Sequence, residues 1–150
     1  MKEVIICVGI PASGKSTWSK QFVIDNPNYI RVCRDDYRWM LKNSPVVDKK
    51  TEELITKLVN NDIHIAFYMG FNIIIDQTNV NSRYLEQLIS FCNGLQVKKL
   101  IYKVFDIEVE EAIRRDSLRP NPVGEEIINR MYQNYQSVIK NFKLEKWLKN

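Results

Sequence analysis

The amino-acid sequence predicts an α/β fold built on a largely parallel sheet. Three observations support this prediction. Short apolar runs alternate with helical patterns along the 150 residues, as expected for parallel strands joined by helices. A glycine-rich turn follows the first apolar run directly, and two later runs each lead into a cluster containing carboxylates. A chain of this length can bury a substantial core as one domain, so we expect a single domain over residues 1–150.

The first half of the chain contains two predicted strands and three predicted helices. Val4–Val8 is an uninterrupted apolar run and predicts a buried strand, followed by a helix over Thr17–Ile24. Tyr29–Cys33 predicts the second strand because Asn26-Pro27-Asn28 bounds it. A short helix is predicted over Tyr37–Leu41. A longer helix follows, with apolar residues close to a 3.6-residue period at Leu54, Ile55, Leu58, Val59, Ala66 and Phe67.

The second half continues the alternation of strands and helices. Gly70 stops the long helix, and Phe71–Ile75 predicts a compact buried strand that ends at Asp76. Asn93-Gly94 is expected to close the next helix. The remaining predicted elements are the helix Ser82–Cys92, the strand Val97–Phe105, the helix Glu108–Ser117, the loop Leu118–Gly124 and the helix Glu125–Phe142.

Composition narrows the class of protein. The 45% hydrophobic and 27% charged content is ordinary for a globular chain. No apolar run is long enough to span a membrane, and Met1-Lys2-Glu3 leads directly into the first strand. We therefore expect an intracellular, cytoplasmic protein with no membrane partner. Cys7, Cys33 and Cys92 show no paired metal-ligand spacing, so buried reduced thiols are expected.

A phosphate-binding motif follows the first strand. Gly9-Ile10-Pro11-Ala12-Ser13-Gly14-Lys15-Ser16 matches G-x-x-x-x-G-K-[ST] in full, between a predicted strand and a predicted helix. Glycines let successive N–H groups turn inward around phosphates. Lys15 would reach the terminal phosphates, and the Ser16 hydroxyl would hold Mg²⁺. The predicted nucleotide-binding residues are Gly9, Pro11, Ala12, Ser13, Gly14, Lys15, Ser16 and Thr17.

This motif predicts a P-loop NTPase-type parallel sheet sandwiched by helices, with a bound nucleoside triphosphate. The alternative is a glycine turn beside an exposed lysine. The motif alone leaves an ATPase, a GTPase switch and a kinase open. A GTPase would need a base-reading N-K-x-D, which this sequence lacks.

The first polar cluster, Arg34-Asp35-Asp36-Tyr37-Arg38, follows the second strand. Ligands bind in the crevice outside the carboxyl ends of parallel strands. There, a carboxylate such as Asp35 can accept the proton of a hydroxyl, and Arg38 can bind an anionic acceptor group. The alternative is that Asp35 or Asp36 only caps the next helix, with Arg38 paired to it.

The second cluster, Asp76-Gln77-Thr78-Asn79, ends the strand Phe71–Ile75. A carboxylate at this place can orient Mg²⁺ and its waters, which predicts such a role for Asp76. The alternative is a cap for the helix that follows. Thr78 or Asn79 could serve as that cap and leave Asp76 free.

The third cluster is Arg114-Arg115-Asp116-Ser117-Leu118-Arg119-Pro120. An arginine on a loop that closes over the triphosphate stabilises the charge that develops during phosphoryl transfer. Arg119 is the best candidate for such a lid, since it already lies in the proline-containing loop. Arg114 is also explained as a cation at a helix C-terminus.

The remaining aromatic residues are expected to have structural roles. His64 lies between Ile63 and Ile65 in an apolar helix, which favours a packed or half-exposed structural position. Trp18, Trp39 and Trp147 are likewise expected to pack. Among them Trp39 has the better claim to a site role because it neighbours Arg38.

The sequence resembles the 5′-hydroxyl polynucleotide kinases of bacteriophages, in particular the kinase domain of the bifunctional kinase–phosphatase. The resemblance covers nearly the whole chain. It rests on Gly-Ile-Pro-Ala-Ser-Gly-Lys-Ser-Thr-Trp (9–18), Arg-Asp-Asp-Tyr-Arg (34–38), Asp-Gln-Thr-Asn-Val-Asn (76–81) with Arg83 shortly after, and Lys-Val-Phe-Asp (103–106). One departure is that the D-x-D-G-T motif of the family's phosphatase is absent, so no 3′-phosphatase activity is expected.

The resemblance implies a function and a set of roles. It implies transfer of the γ-phosphoryl group of ATP to the 5′-hydroxyl of DNA or RNA, in nucleic-acid repair and in the cytoplasm of a phage host. Lys15 and Ser16 would bind the triphosphate and Mg²⁺, and Arg119 would contact the phosphates, with Arg115 as the fallback. Asp35 would act as general base and Arg38 would hold the acceptor's neighbouring phosphate. The acceptor end of the site would comprise Asp35, Arg38, Asp76, Thr78 and Asn79, with Asp76 also serving the metal.

Two other functions stay open from the sequence. The second hypothesis is a small-molecule kinase that acts on a nucleoside, nucleotide or antibiotic hydroxyl, as the zeta-toxin and chloramphenicol phosphotransferase groups do. A non-catalytic nucleotide-binding module is the third hypothesis.

Overall fold

The computed structural model describes residues 2–148, which form four strands, six α-helices and a final 3-10 turn. The strands are β1 (Glu3–Val8), β2 (Tyr29–Val32), β3 (Asn72–Ile75) and β4 (Lys99–Val104). The helices are α1 (Lys15–Asp25), α2 (Arg34–Lys42), α3 (Lys49–Tyr68), α4 (Ser82–Gly94), α5 (Val109–Ser117) and α6 (Glu125–Asn141), and the 3-10 turn is Glu145–Trp147.

The four strands form one parallel sheet in the order β2-β3-β1-β4. Val4 of β1 pairs with Ile73 of β3 on one side and with Leu100 of β4 on the other. β1 therefore lies between β3 and β4. After β1 the chain first forms β2 and β3 on one side of it and then crosses to the other side to form β4. The crevice at the carboxyl end of such a strand is the usual ligand site of an open parallel sheet. The predicted α/β fold is confirmed.

Helices cover both faces of the sheet because β1 is apolar on both sides. Val4, Ile6 and Val8 belong to the larger core cluster, which also contains buried residues of α3, α4 and α6. Ile5 and Cys7 point the other way and pack with Trp18 and other residues of α1. A continuous apolar strand is what a sheet buried on both faces requires.

The main difference from the predicted elements lies at the start of α2. The predicted strand Tyr29–Cys33 ends at Val32, and the helix predicted over Tyr37–Leu41 already begins at Arg34. Cys33 is the N-cap residue, and its side chain makes no capping hydrogen bond. The carboxylates in this first turn are stabilised by the positive end of the helix dipole. At other boundaries the shifts are smaller; α4, for example, continues through Asn93-Gly94.

The remaining structural expectations have mixed outcomes. Cys7, Cys33 and Cys92 are buried and unpaired, as predicted. Trp18 packs against Phe22 and Phe105, and Trp147 packs against Tyr102. Trp39 is different, since 40% of its surface is exposed. His64 lies exposed on α3.

Within residues 2–148, no helix has both the length and the apolar composition that crossing a membrane requires.

Candidate active site

The nucleotide loop, residues 9–16, is shaped by two glycines and one strained alanine. A Cβ on Gly9 would lie 2.8 Å from Ser13 Oγ and 3.0 Å from Phe105 Cβ, so a side chain at residue 9 would displace its neighbours. Gly14 (φ 98°) and Ala12 (φ 63°) adopt left-handed backbone conformations. These conformations curve the chain between β1 and α1, and curved loops of this kind present successive N–H groups to an anion.

Lys15 lies inside the curve of the nucleotide loop. Its Nζ donates to the carbonyl oxygen of Ile10 at 2.6 Å and to Ser13 Oγ at 3.2 Å, and the residue is only 8% exposed. Burial lowers the pKa of Lys15 to about 8, against the opposing effect of Asp76. Ser16 and Thr17 are exposed in the first turn of α1.

Asp76 lies at the end of β3 and is only 2% exposed. Its Oδ2 accepts a hydrogen bond from Ser19 Oγ at 2.8 Å and one from Arg31 Nε at 2.7 Å. Asp76 does not cap the next helix, as expected, because Asn81 caps α4, but its carboxylate is ion-paired with Arg31. A buried charge needs such a partner. The signal available in the sequence was an arginine in the middle of a predicted buried strand.

The oxygen ligands of this region fit Mg²⁺. Within residues 2–148 the hydrogen bonds to the Asp76 carboxylate go to Oδ2, so Oδ1 is the oxygen that would accept from a magnesium-bound water. The Ser16 hydroxyl is exposed at the N-terminus of α1. Mg²⁺ prefers oxygen ligands and keeps several of its waters. No denser metal cluster competes, since residues 2–148 contain no group of three or more histidine, cysteine, aspartate or glutamate side chains that would hold a metal.

A network of ion pairs joins α2 to α3. Arg38 Nε donates to Glu52 Oε1 at 2.6 Å, and Arg38 Nη1 donates to Asp35 Oδ1 at 2.5 Å. Arg34 Nη2 binds the other carboxylate oxygen of Glu52 at 2.6 Å. Partial burial of Glu52 favours a higher pKa, but the hydrogen bonds from Arg38 and Arg34 outweigh it, so the pKa of Glu52 is lowered. Glu52, which the sequence did not single out, thus fixes Arg38 while Asp35 stays 72% exposed.

The alternative for the first cluster is observed in part, because Arg38 pairs with Asp35 as it states, but neither Asp35 nor Asp36 caps α2. The Asp35 side chain pairs with Arg38, and the Asp36 side chain pairs with Arg31 at 2.5 Å. Neither carboxylate lies at the N-cap position, which Cys33 occupies.

Thr78 and Asn79 have structural contacts. The carbonyl oxygen of Thr78 accepts from the N–H of Gly9 at 3.0 Å. Asn79 is buried, and its Nδ2 donates to the carbonyl oxygen of Cys7 at 2.7 Å. Neither residue caps α4, whose cap is Asn81. The Asn79 amide therefore ties the loop after β3 to β1, which argues against the predicted acceptor contact by this side chain.

The lid loop, residues 118–124, is closed at its base by Asp116. This buried carboxylate accepts from the N–H groups of Val123 at 3.0 Å and Gly124 at 2.9 Å. Arg119 lies on the loop, and its Nη1 is 3.9 Å from Asp116 Oδ1. Arg115, the fallback candidate, pairs with Glu111 at 2.8 Å on α5. Of the two arginines, Arg119 is therefore the one with the weaker competing contact.

Charges from all three clusters act on the ammonium group of Lys15. Besides burial, its pKa responds to Asp76 and Asp35, which raise it, and to Arg119, which lowers it. Charges from the ends of β3, from α2 and from the lid loop therefore all act on one group in the nucleotide loop. The parallel sheet produces this convergence because it brings the carboxyl ends of its strands to one edge.

The parallel sheet, the complete nucleotide loop and the carboxylates at adjacent strand ends define the class of P-loop kinases, which are phosphotransferases. The sequence profile of a family described as "AAA domain" matches residues 4–138. The chain belongs to this family.

Relatives and solved structures add detail. The chain is 25% identical to the protein named "Putative bifunctional polynucleotide kinase/RNA ligase" of Autographa californica nuclear polyhedrosis virus, over 91% of this chain and 21% of that protein. It is 27% identical to heterogeneous nuclear ribonucleoprotein U-like protein 2 of Mus musculus, over 83% of this chain and 18% of that protein. A chain in the structure of the Pnkp1/Rnl/Hen1 RNA repair complex is 31% identical, with a TM-score of 0.83, over 93% of this chain and 46% of that chain.

More distant structures agree on the fold alone. A gluconokinase from Sinorhizobium meliloti 1021 is 12% identical with a TM-score of 0.59, over 88% of this chain and 74% of that chain. The chain spans about a fifth of the length of the two curated relatives and under half of the chain from the RNA repair complex.

Proposed function

We propose that this chain transfers the γ-phosphoryl group of ATP to the 5′-hydroxyl end of DNA or RNA. The observation that carries the proposal is the Asp35–Arg38 pair on α2. Asp35 is exposed and electrostatically coupled to Lys15, while Glu52 holds Arg38 beside it. A base and a fixed guanidinium next to a triphosphate loop suit an acceptor that presents a hydroxyl and a phosphate together.

Each residue has a distinct role in the proposed reaction. Asp35 accepts the proton of the 5′-hydroxyl as that oxygen attacks the γ-phosphorus, the bond from the γ-phosphorus to the β-phosphate oxygen breaks, and ADP leaves. Arg38 has five N–H donors, of which Glu52 and Asp35 take three, so two remain for the acceptor's neighbouring phosphate. Lys15 and Arg119 stabilise the charge that develops on the transferred group.

Mg²⁺ completes the proposed site. Ser16, and Asp76 through water, would hold this ion, which neutralises charge on the β- and γ-phosphates when bound. Ser19 and Arg31 keep the Asp76 carboxylate in one orientation. The polynucleotide kinase named among the relatives supports a nucleic-acid acceptor, and the RNA repair complex supports a role in repair of nucleic-acid ends.

The experiment is a transfer assay with γ-labelled ATP and Mg²⁺. Acceptors offered in parallel are a 5′-hydroxyl DNA oligonucleotide, the matching RNA, a deoxynucleoside monophosphate and chloramphenicol. We expect label on the oligonucleotides, no label when their ends already carry a 5′-phosphate, and no label with Lys15→Ala. Label on chloramphenicol or on the monophosphate alone would overturn the proposal in favour of a small-molecule kinase.

A further inference from the structure

One face of α2 combines the proposed base with an exposed aromatic ring and two cations. Asp35, Arg38, Trp39 and Lys42 occupy positions i, i+3, i+4 and i+7 and therefore share one side of the helix. We call this side the acceptor face. The cations are Arg38, which Glu52 holds in place, and the exposed Lys42. Hydrogen bonds from Thr51 lower the pKa of Asp48, and the nearby charge of Lys42 adds a smaller effect in the same direction.

The directions of its neighbours on α2 indicate the direction of Trp39. Asp36, three positions before Trp39, pairs with Arg31 at the edge of the sheet. Asp35, four positions before Trp39, is electrostatically coupled to Lys15 of the nucleotide loop. On a helix, the direction of Trp39 falls between those of Asp35 and Asp36. Helix geometry therefore directs Trp39 to the side of α2 that Asp35 and Asp36 share, one turn further along the helix.

Trp39 is also the tryptophan that the core does not use. Trp18 and Trp147 pack against other aromatic rings, whereas no ring contact to Trp39 is found within residues 2–148. Its surface is 40% exposed next to Met40, which is 69% exposed. Proteins that bind single strands combine cations that contact the backbone with aromatic side chains on which bases stack, and Trp39 has two cations beside it on the same face of α2.

We propose that Trp39 stacks on the nucleobase of the 5′-terminal nucleotide of the acceptor, and that Lys42 contacts the following phosphate. This inference rests on the proposed function and specifies its acceptor. The base of a nucleotide is joined through its sugar to both the 5′-hydroxyl and the adjacent phosphate, and Trp39 follows Arg38 directly and lies about one helical turn from Asp35. Base–aromatic stacking tolerates any sequence because every base has a π-face.

The experiment compares acceptor oligonucleotides whose 5′-terminal nucleotide either carries its base or is abasic. The proteins are the wild type, Trp39→Ala, Trp39→Phe and the exposed neighbour control Met40→Ala. For the base-containing acceptor, we expect Trp39→Ala to raise the acceptor KM by about 5- to 150-fold, the usual range for losing one stacked base. Trp39→Phe and Met40→Ala should stay within a few-fold of wild type, and the KM for ATP should not change.

The abasic acceptor separates stacking from a structural role. The wild type should lose about the same factor on this acceptor, and Trp39→Ala should lose little more. An equal effect of Trp39→Ala on both acceptors, or no effect on either, would overturn the inference.

A binding measurement tests the stacking of Trp39 separately from the proposed kinase activity. Binding of the oligonucleotide should quench the tryptophan fluorescence of the wild type, and Trp39→Phe should remove most of that quench. Quenching without phosphoryl transfer would refute the proposed kinase activity and retain the stacking contact. Transfer in which Trp39→Ala behaves as wild type would do the reverse.

Discussion

Burial lowers the pKa of Lys15 to about 8, so this ammonium group in the nucleotide loop titrates near neutral pH. In free solution a lysine stays charged to about pH 10.4. Bound phosphates favour the charged form and raise its pKa again, so nucleotide binding above pH 8 must take up a proton.

The first prediction concerns the affinity for nucleotide. The Kd for a fluorescent ATP analogue should be nearly constant between pH 7 and 7.5 and then rise, approaching about tenfold per pH unit above pH 8. The measurement is a fluorescence titration at each pH, with Lys15→Met as the control. The variant should bind weakly with a flat profile. A wild-type profile that is flat to pH 10 would contradict the assigned protonation.

The second prediction tests the proposed role of Asp35 as the general base. Replacing Asp35 by asparagine removes the basic oxygen but keeps the size of the side chain. We expect turnover to fall by about 10²- to 10⁴-fold, as for loss of a general base, with nearly unchanged affinity for ATP.

Steady-state kinetics with saturating ATP provide the measurement. The matched control is Asp36→Asn, since Asp36 contacts Arg31 and is also well exposed. Near-normal turnover of Asp35→Asn, together with a large loss in Asp76→Asn, would show that Asp76 is the base instead.

Local sequence patterns indicated the charged residues that face the cleft but missed those that hold them. Lys15, Asp35 and Asp76 follow strands and belong to recognisable runs. Arg31 and Glu52 contact these clusters from 45 and 14 positions away in the chain. Only the folded topology brings such pairs together, so the residues that position the site could not be read from spacing.

At the scale of elements, the pattern of apolar residues predicted all four strands and all six α-helices of residues 2–148 in the right order. It misplaced the start of α2 because Arg34-Asp35-Asp36 contains no apolar residue. That first turn forms through the helix dipole and through ion pairs to β2 and α3, which a hydrophobic period does not detect. The consequence is functional, since Asp35 is held on a rigid helix rather than on a loop.

The lid loop provides a prediction at this same scale. Asp116 accepts two backbone N–H groups, and Asp116→Asn replaces one carboxylate oxygen with an amide group that cannot accept. We expect a loss of stability of about 1–3 kcal/mol and faster hydrogen exchange confined to residues 117–124. Turnover should fall by up to about tenfold, because a looser loop holds Arg119 less well.

A double-mutant cycle with Arg119→Ala identifies the cause of the kinetic effect. In the Arg119→Ala background, Asp116→Asn should change turnover little, because the residue that the loop positions is already gone. Asp25→Asn, at an exposed position on α1, is the control for the lost charge. Equal kinetic effects in both backgrounds would mean that Asp116 acts independently of Arg119.

At the scale of the whole molecule, the net charge of +4 is too small to define an acceptor. Its distribution is more informative. Residues 1–50 carry nine lysines and arginines against five acidic residues, while residues 51–97 carry two against five. The acceptor face of α2 lies within the first of these segments, so local cations rather than overall charge should control binding of a polyanion.

The last prediction is the salt dependence of acceptor binding. If Arg38 and Lys42 each neutralise one phosphate, the logarithm of affinity should fall against the logarithm of salt with a slope of about −1.4, or about sevenfold between 50 and 200 mM. Lys42→Gln should reduce the slope by about 0.7. Lys99→Gln should leave the slope unchanged, because Lys99 begins β4 beside the amino end of β1, whereas the nucleotide loop follows the carboxyl end of β1.

Fluorescence titrations with a 5′-hydroxyl oligonucleotide measure each slope. Equal slopes for the two variants would place the acceptor strand away from the acceptor face. An affinity that ignores salt would instead indicate a small neutral acceptor, because counterion release requires phosphates to be neutralised.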